Sequence, residues 1–282
     1  MTEQTMSRAD VRRLLPPRDP FAHKGRFGRV AIIGGSVGYT GAPKLAANAA
    51  LRTGSGLIHV AVPACVYPIV ASGLTEPMPA PYPDDGTGLR VDAAEPILSL
   101  LARCDACVLG VGMGNTPNTQ QLTMQILRQA KLPIVLDADG INVLAGHIDV
   151  LRESACPVIL TPHDGEFARL GGDVSMGREK AVGRMAEQTG QTVLLKGHRT
   201  LICDGRRLCR NHTGNAGMAK GGSGDVLSGI IVSLLGQGVG TFEAAALGAW
   251  IHGTAGDLCA EAIGEYGMTP MDLVQAIPQV FR

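Results

Sequence analysis

Short, almost uninterrupted apolar runs alternate with helical stretches along this chain, and that alternation constrains the fold more than any other feature. The runs are Arg29–Gly34, Leu57–Val62, Cys107–Gly110, Pro133–Asp137, Pro157–Thr161 and Thr192–Lys196, with an Ala-rich helical stretch at Gly41–Thr53. Apolar on both faces and separated by helices, they predict an α/β fold with a mainly parallel sheet covered on both sides. Leu201–Asp204, Gly205 and Arg207–Arg210 predict a hairpin, because Asp-Gly supplies the positive φ angles of a type I′ turn. Beyond it, Val226–Leu235, Phe242–Ile263 and Met271–Val280 read as helices. Residues 1–20 are polar, hold Pro16, Pro17 and Pro20, and read as an arm with one short helix. No repeat or linker divides residues 21–282, so they are expected to form one domain.

Charge and composition remove several function classes. Lys and Arg number 25 against 25 Asp and Glu, which disfavours nucleic acid or an anionic membrane as partner. The seven scattered cysteines, with no signal peptide before them, fit a reduced cytoplasmic chain. Cys104 and Cys107 form a CxxC, but no second pair completes a zinc site. The uncharged stretch 54–75 has membrane length, yet Gly54, Gly56, Pro63 and Pro68 make it a strand, a turn and the start of a helix. What stands out is 38 glycines in 282 residues, nearly twice the usual ~7%.

Those glycines cluster where strands end, at Gly34-Gly35, Gly110-Val-Gly112-Met-Gly114, Gly197 and Gly221-Gly222-Ser223-Gly224. Ligands of open α/β sheets bind beyond the carboxyl ends of strands, and glycine there lets the backbone turn its N–H groups to an anion. No Walker P-loop and no full dinucleotide fingerprint is present. The most informative segment is NHTGNAGMAKGGSGD, Asn211–Asp225, running into the apolar helix VLSGIIVSLLG. Gly222, Ser223 and Gly224 are expected to form an anion hole at that helix's N-terminus. Asp225, in the first turn, either complements the helix dipole or serves as a general base beside a transferring phosphoryl group. His163, in TPHDGE, lies past a strand end, where it can face a ligand. Lys196-Gly197-His198-Arg199-Thr200 joins a strand to the hairpin and suits a nucleotide's sugar and phosphate. Asp137 and Asp139 either orient Mg²⁺ through water or act as caps. His252 and Asp257 read as internal contacts of a helix.

Gly34-Gly-Ser36-Val-Gly38 matches the G-x-S-x-G of serine hydrolases, with Ser36 following a strand. Against that reading, only about thirty residues precede the serine, without an earlier strand or oxyanion loop, and the 214–225 glycines would be idle.

Taken in order, HKGRFGRVAIIGGSVGYTGAPKLAANAALRTGSGLIHV, VLGVGMG, PIVLDADGIN, VILTPHDGEFARL, LLKGHRTLI and GNAGMAKGGSGDVLSGII resemble the ADP/ATP-dependent NAD(P)H-hydrate dehydratases from about His23 onward. The resemblance implies a ribokinase-like three-layer αβα sandwich. It also implies a repair reaction in which ADP, or ATP, with Mg²⁺, phosphorylates the hydroxyl of NADH or NADPH hydrate and phosphate elimination restores the cofactor. By motif, Ala42, Gly114, His163 and Asp225 would touch the hydrate, with Asp225 as base. Lys196, Gly197, His198, Arg199, Thr200 and Gly224 would touch the adenine nucleotide, and no protein metal ligand is assigned. Gly140 and Asp164 stand where the family usually has Ala and Pro, and neither change removes a functional group. The chain leaves no room for the epimerase domain of bifunctional members, so action on the S epimer with a separate epimerase is expected. A homo-oligomer, a tetramer at family level, is expected too. A ribokinase-like small-molecule kinase of the hydroxyethylthiazole or hydroxymethylpyrimidine type, and a non-catalytic adenine-nucleotide-binding regulator, are the competing readings.

Overall fold

The computed structural model describes residues 3–175 and 177–282. In chain order the elements are β1 (Glu3–Gln4), α1 (Arg8–Leu14), β2 (Arg29–Gly34), α2 (Gly41–Thr53), β3 (Leu57–Pro63), α3 (Tyr67–Ala71), β4 (Met78–Tyr82), α4 (Ala94–Leu101) and β5 (Ala106–Val111). Then follow α5 (Pro117–Gln129), β6 (Ile134–Leu136), α6 (Asp139–Asn142), β7 (Val158–Leu160), α7 (Asp164–Arg169), α8 (Arg178–Thr189) and β8 (Thr192–Leu195). The hairpin β9 (Leu201–Cys203) and β10 (Leu208–Arg210) precedes α9 (Ser223–Gly236), α10 (Thr241–Ile263) and α11 (Pro270–Val280).

One sheet of ten strands runs β1-β10-β9-β8-β7-β6-β5-β2-β3-β4. Every pairing is parallel except those of β9 with β8 and β10. Strand residues divide by parity between two cores, as the two-residue side-chain period requires. Val30, Ile32, Val108, Val135 and Ile159 face α2, α9, α10 and α11. Ala31, Ile33, Leu109, Ile134 and Leu160 face α4, α5 and α8. This is the three-layer sandwich with helices on both faces. On the first face small residues let helices approach closely: a Cβ built on Gly229 of α9 would meet the Ala46 carbonyl of α2 at 2.2 Å.

Three local expectations are revised. Strand β4 has the sequence MPAPY and was not expected; Pro79 and Pro81 fall on one side of it, and an edge strand needs N–H donors on only the side facing β3. The opposite rim is β1, from the segment expected as an arm: Glu3 and Gln4 pair in parallel with Leu208 and Cys209, and Val11 of α1 is buried. The β9–β10 turn is not type I′. Of its residues only Gly205 has positive φ, at 84°, the order a II′ turn uses. Asp204 instead accepts the N–H groups of Arg206 and Arg207 on its carboxylate, at 2.9 and 2.7 Å.

Among the described residues, no helix is long and apolar enough to cross a membrane.

Candidate active site

The carboxyl ends of β2, β5, β6, β7 and β8 converge on the start of α9. Gly222 caps that helix with φ of 100°, a left-handed conformation that favours glycine. The Ser223 amide is already bonded to the Lys220 carbonyl at 3.2 Å. Of the three residues expected to form an anion hole, Gly222, Ser223 and Gly224, only the Ser223 amide is thereby engaged within the protein. The Ser223 side chain is 8% exposed, and its Oγ has no hydrogen-bond partner.

Asp225 occupies the third position of α9. A helix N-terminus favours a carboxylate and lowers its pKa, yet here the pKa is raised to about 7. Burial is the main cause, followed by the charge of Asp137; Lys196 pulls the other way, and Asp139 and Glu166 add to the rise. A carboxyl that is half ionised near neutrality suits proton abstraction.

Beneath it lies an ion-pair network. Lys196 Nζ is 2.9 Å from Asp137 Oδ1 and 3.6 Å from Glu166 Oε2, and 3.4 Å from a Cβ built on Gly224. Burial alone would pull the lysine's pKa down, but the two carboxylates outweigh it and raise it. Asp137, buried, also accepts from the Ala138 amide at 2.9 Å and the Ser228 hydroxyl at 2.6 Å. Asp139 accepts from the Gly114 amide at 2.8 Å and Asn142 Nδ2 at 3.3 Å. Both carboxylates are thus occupied by fixed protein donors. Among the described residues no group of three His, Cys, Asp or Glu side chains is placed to hold a metal.

A cleft of about 1180 Å³ opens on one side of α9's first turn, lined by Lys196, Gly197, His198, Arg199, Thr200 and Gly224 together with His163, Ser223 and His252. The structure thus gathers all six residues expected at the nucleotide. The loop is held in shape: Thr200 Oγ1 donates to the Gly197 carbonyl at 3.0 Å, Arg199 has φ of 58°, and Arg178 donates to the Lys196 carbonyl at 2.8 Å. Ala42, Gly114 and Asp225 do not line this cleft. Ala42 Cβ lies 3.0 Å from a Cβ built on Gly112, and the Gly114 amide donates to Asp139, one of the charges that act on Asp225. His163 caps α7: its Nδ1 accepts from Gly165 and Glu166 amides at 2.9 and 3.3 Å.

The other sequence candidates separate from the site. Ser36 is 7% exposed, and its hydroxyl donates to the Gly112 carbonyl at 2.9 Å, so it is not an activated nucleophile. Cys104 is pushed up to about 11, chiefly by burial, which makes it an inert thiol. Asp257 accepts from the Gly214 amide at 2.9 Å and Asn215 Nδ2 at 3.0 Å, fixing the glycine-rich loop to α10. Sequence reasoning missed Glu166 as a partner of Lys196, and it missed Ser228 altogether. A serine three residues after Asp225 in an otherwise apolar helix was the available signal.

The sequence profile of the NAD(P)H-hydrate dehydratases matches residues 30–279. The chain belongs to the NAD(P)H-hydrate dehydratase family. It is 43% identical over 284 residues to a bifunctional NAD(P)H-hydrate repair enzyme of Moorella thermoacetica, covering 98% of this chain and 53% of that protein. The chain thus spans about half the length of that relative. An ADP-dependent (S)-NAD(P)H-hydrate dehydratase of Neisseria meningitidis is 41% identical over 254 residues, 86% of this chain and 81% of that one. The ADP/ATP-dependent NAD(P)H-hydrate dehydratase of Bacillus subtilis, co-crystallised with ATP and Mg²⁺, superimposes with a TM-score of 0.84 at 28% identity, covering 98% and 97% of the two chains. Arabidopsis thaliana ribokinase, at 12% identity and a TM-score of 0.59 over 90% and 100% of the chains, shares the fold. The fold of this family member is therefore ribokinase-like.

Proposed function

We propose that the chain restores NADH and NADPH from the S epimer of their hydrates at the expense of a nucleotide. The observation that carries the reading is Asp225, a carboxyl of raised proton affinity in the first turn of a glycine-led helix whose Gly224 lines a nucleotide-sized cleft. Asp225 takes the proton of the hydrate's hydroxyl as that oxygen attacks the terminal phosphorus. The bridging oxygen of the nucleotide leaves with its electron pair, and the Gly224 amide and Ser223 hydroxyl receive the phosphoryl oxygens. The ring nitrogen's lone pair then expels phosphate, and the neighbouring ring carbon gives up a proton to reform the double bond. Phosphorylation thus turns hydroxide, a poor leaving group, into phosphate.

Family membership and the Neisseria relative support this substrate and favour ADP over ATP. Magnesium enters the proposal only as the nucleotide's counter-ion, with no step assigned to it. With the reading go a cytoplasmic location and a homo-oligomer.

The test is to add ADP or ATP to purified NADH hydrate and follow the reduced-nicotinamide absorbance. The proposal expects that band to return with one phosphate released per molecule repaired. A phosphorylated product that accumulates without recovery of the band would establish a small-molecule kinase instead. Nucleotide binding with no product would establish a regulator.

A further inference from the structure

Lys220 stands two residues before the glycine that caps α9. Its carbonyl accepts from the Ser223 amide at 3.2 Å, closing a four-residue turn whose ends lie within about 7 Å of each other. The residue is exposed and lines the cleft together with Ser223 and Gly224. Its ammonium donates to two main-chain carbonyls in the segment that joins α10 to α11, Tyr266 at 2.9 Å and Met268. Lys196 is paired with Asp137 and Glu166, whereas no ion pair among the described residues includes Lys220.

As a brace the amine would be redundant. The loop that carries it is already tied to α10 by Asp257, which accepts from the Gly214 amide and Asn215 Nδ2, and by Asn211 Nδ2, which donates to the Ala249 carbonyl at 3.2 Å. It packs against the α10–α11 segment without the lysine as well, since a Cβ built on Gly217 would lie 2.7 Å from Glu265 Cα. What Lys220 alone adds is charge. Main-chain carbonyls are neutral, so they fix the ammonium in place without cancelling it, and they occupy two of its three N–H groups. The start of α9 lacks such a charge. Asp137, Asp139 and Glu166 act on Asp225 there, against the single cation Lys196, and a helix N-terminus offsets only about half an elementary charge. We infer that Lys220 binds the terminal phosphate of the nucleotide, held at the cleft by the two carbonyls and supplying the positive charge that its acidic surroundings lack. This rests on the nucleotide reading given above and adds to it a cation that tells a nucleoside diphosphate from a monophosphate.

Calorimetry on the full chain tests it, with ADP and AMP as probes and Mg²⁺ present throughout. Lys220→Met should lose about tenfold or more in affinity for ADP, as expected when a charge-assisted hydrogen bond is removed. Its affinity for AMP, which lacks the terminal phosphate, should stay within about twofold of wild type. Added salt should weaken ADP binding more in the wild type than in this variant, because the attraction that salt screens is then missing. Lys220→Gln carries two N–H groups for the two carbonyls but no charge, and should lose as much for ADP as Lys220→Met. Lys220→Arg, which keeps the charge, should recover part of the loss. An ADP affinity within about twofold of wild type in Lys220→Met, or its near-complete recovery in Lys220→Gln, would make the lysine a brace and overturn the inference. Equal losses for ADP and AMP would overturn it as well, by placing the effect in the shape of the loop. If Lys220→Met does not fold, Lys220→Gln and Lys220→Arg decide alone. A wild type that binds neither nucleotide would remove the nucleotide reading and this inference with it, a result distinct from ADP binding that ignores residue 220.

Discussion

Two carboxylates near one lysine meet opposite fates. At the end of β6, Asp137 is satisfied by Lys196, Ser228 and the Ala138 amide. At the start of α9, half-buried Asp225 lies among like charges, and its proton affinity rises to about 7. The difference teaches how the site divides labour. The satisfied carboxylate neutralises the lysine, and that leaves the second one basic enough to take a proton. Had Lys196 paired with Asp225, the base would be held ionised and weak.

The largest effect expected from breaking this contrast is on turnover. Asp225→Asn should lower the repair rate by about a hundredfold or more while ADP affinity stays within about twofold, a split read by steady-state kinetics beside calorimetry. Near-normal turnover would remove Asp225 as base. Lys196→Met strands Asp137 and Glu166 without their cation and should cost about 3 kcal/mol of stability, measured by urea unfolding at pH 8. An unchanged midpoint would mean that the lysine does not hold the pair.

The next effect follows from linkage. Because Asp225's pKa is higher in the folded chain than its ordinary 3.8, ionising it costs stability as pH rises through about 7, and nothing is lost below about pH 4. Asp225→Asn should therefore be the more stable protein above pH 7, by on the order of 1–3 kcal/mol, with the advantage vanishing at acid pH. Thermal melts across that range check the sign. The smallest effect sharpens the comparison most. Wild-type kcat/KM should rise with pH through an acid limb near 7, and Asp137→Asn should move that limb down by about one unit, because a like charge is removed and Lys196 is released toward Asp225. A limb that stays in place would separate the two carboxylates electrostatically.

Much of this was legible in the sequence. Strands such as Arg29–Gly34 announce themselves because a central parallel strand is apolar on both faces, and the glycines before Asp225 mark the helix start through their own backbone demands. What escaped depends on distance or on exceptions. The two prolines of β4 argue against a strand until its edge position is known, and a two-residue strand such as β1 carries no periodicity at all. The partners of Lys196 lie 59 residues away at Asp137 and 30 away at Glu166, and Ser228 meets Asp137 across 91 residues. Local pattern contains no information on such contacts. His252 was read as internal packing, and its place in the cleft wall exists only once α9 and α10 are side by side.

The rims of the sheet also bear on how the chain is made. Glu3 and Gln4 leave the ribosome some two hundred residues ahead of Leu208 and Cys209, their ladder partners. At ordinary elongation rates that is a wait of roughly 10–40 s. When β10 finally emerges, the strand that seals its outer side already exists, so this edge is covered as soon as it forms. The opposite edge, completed much earlier at β4, has no covering strand among the described residues and relies on two missing N–H groups to stay unattractive to a neighbouring chain during synthesis.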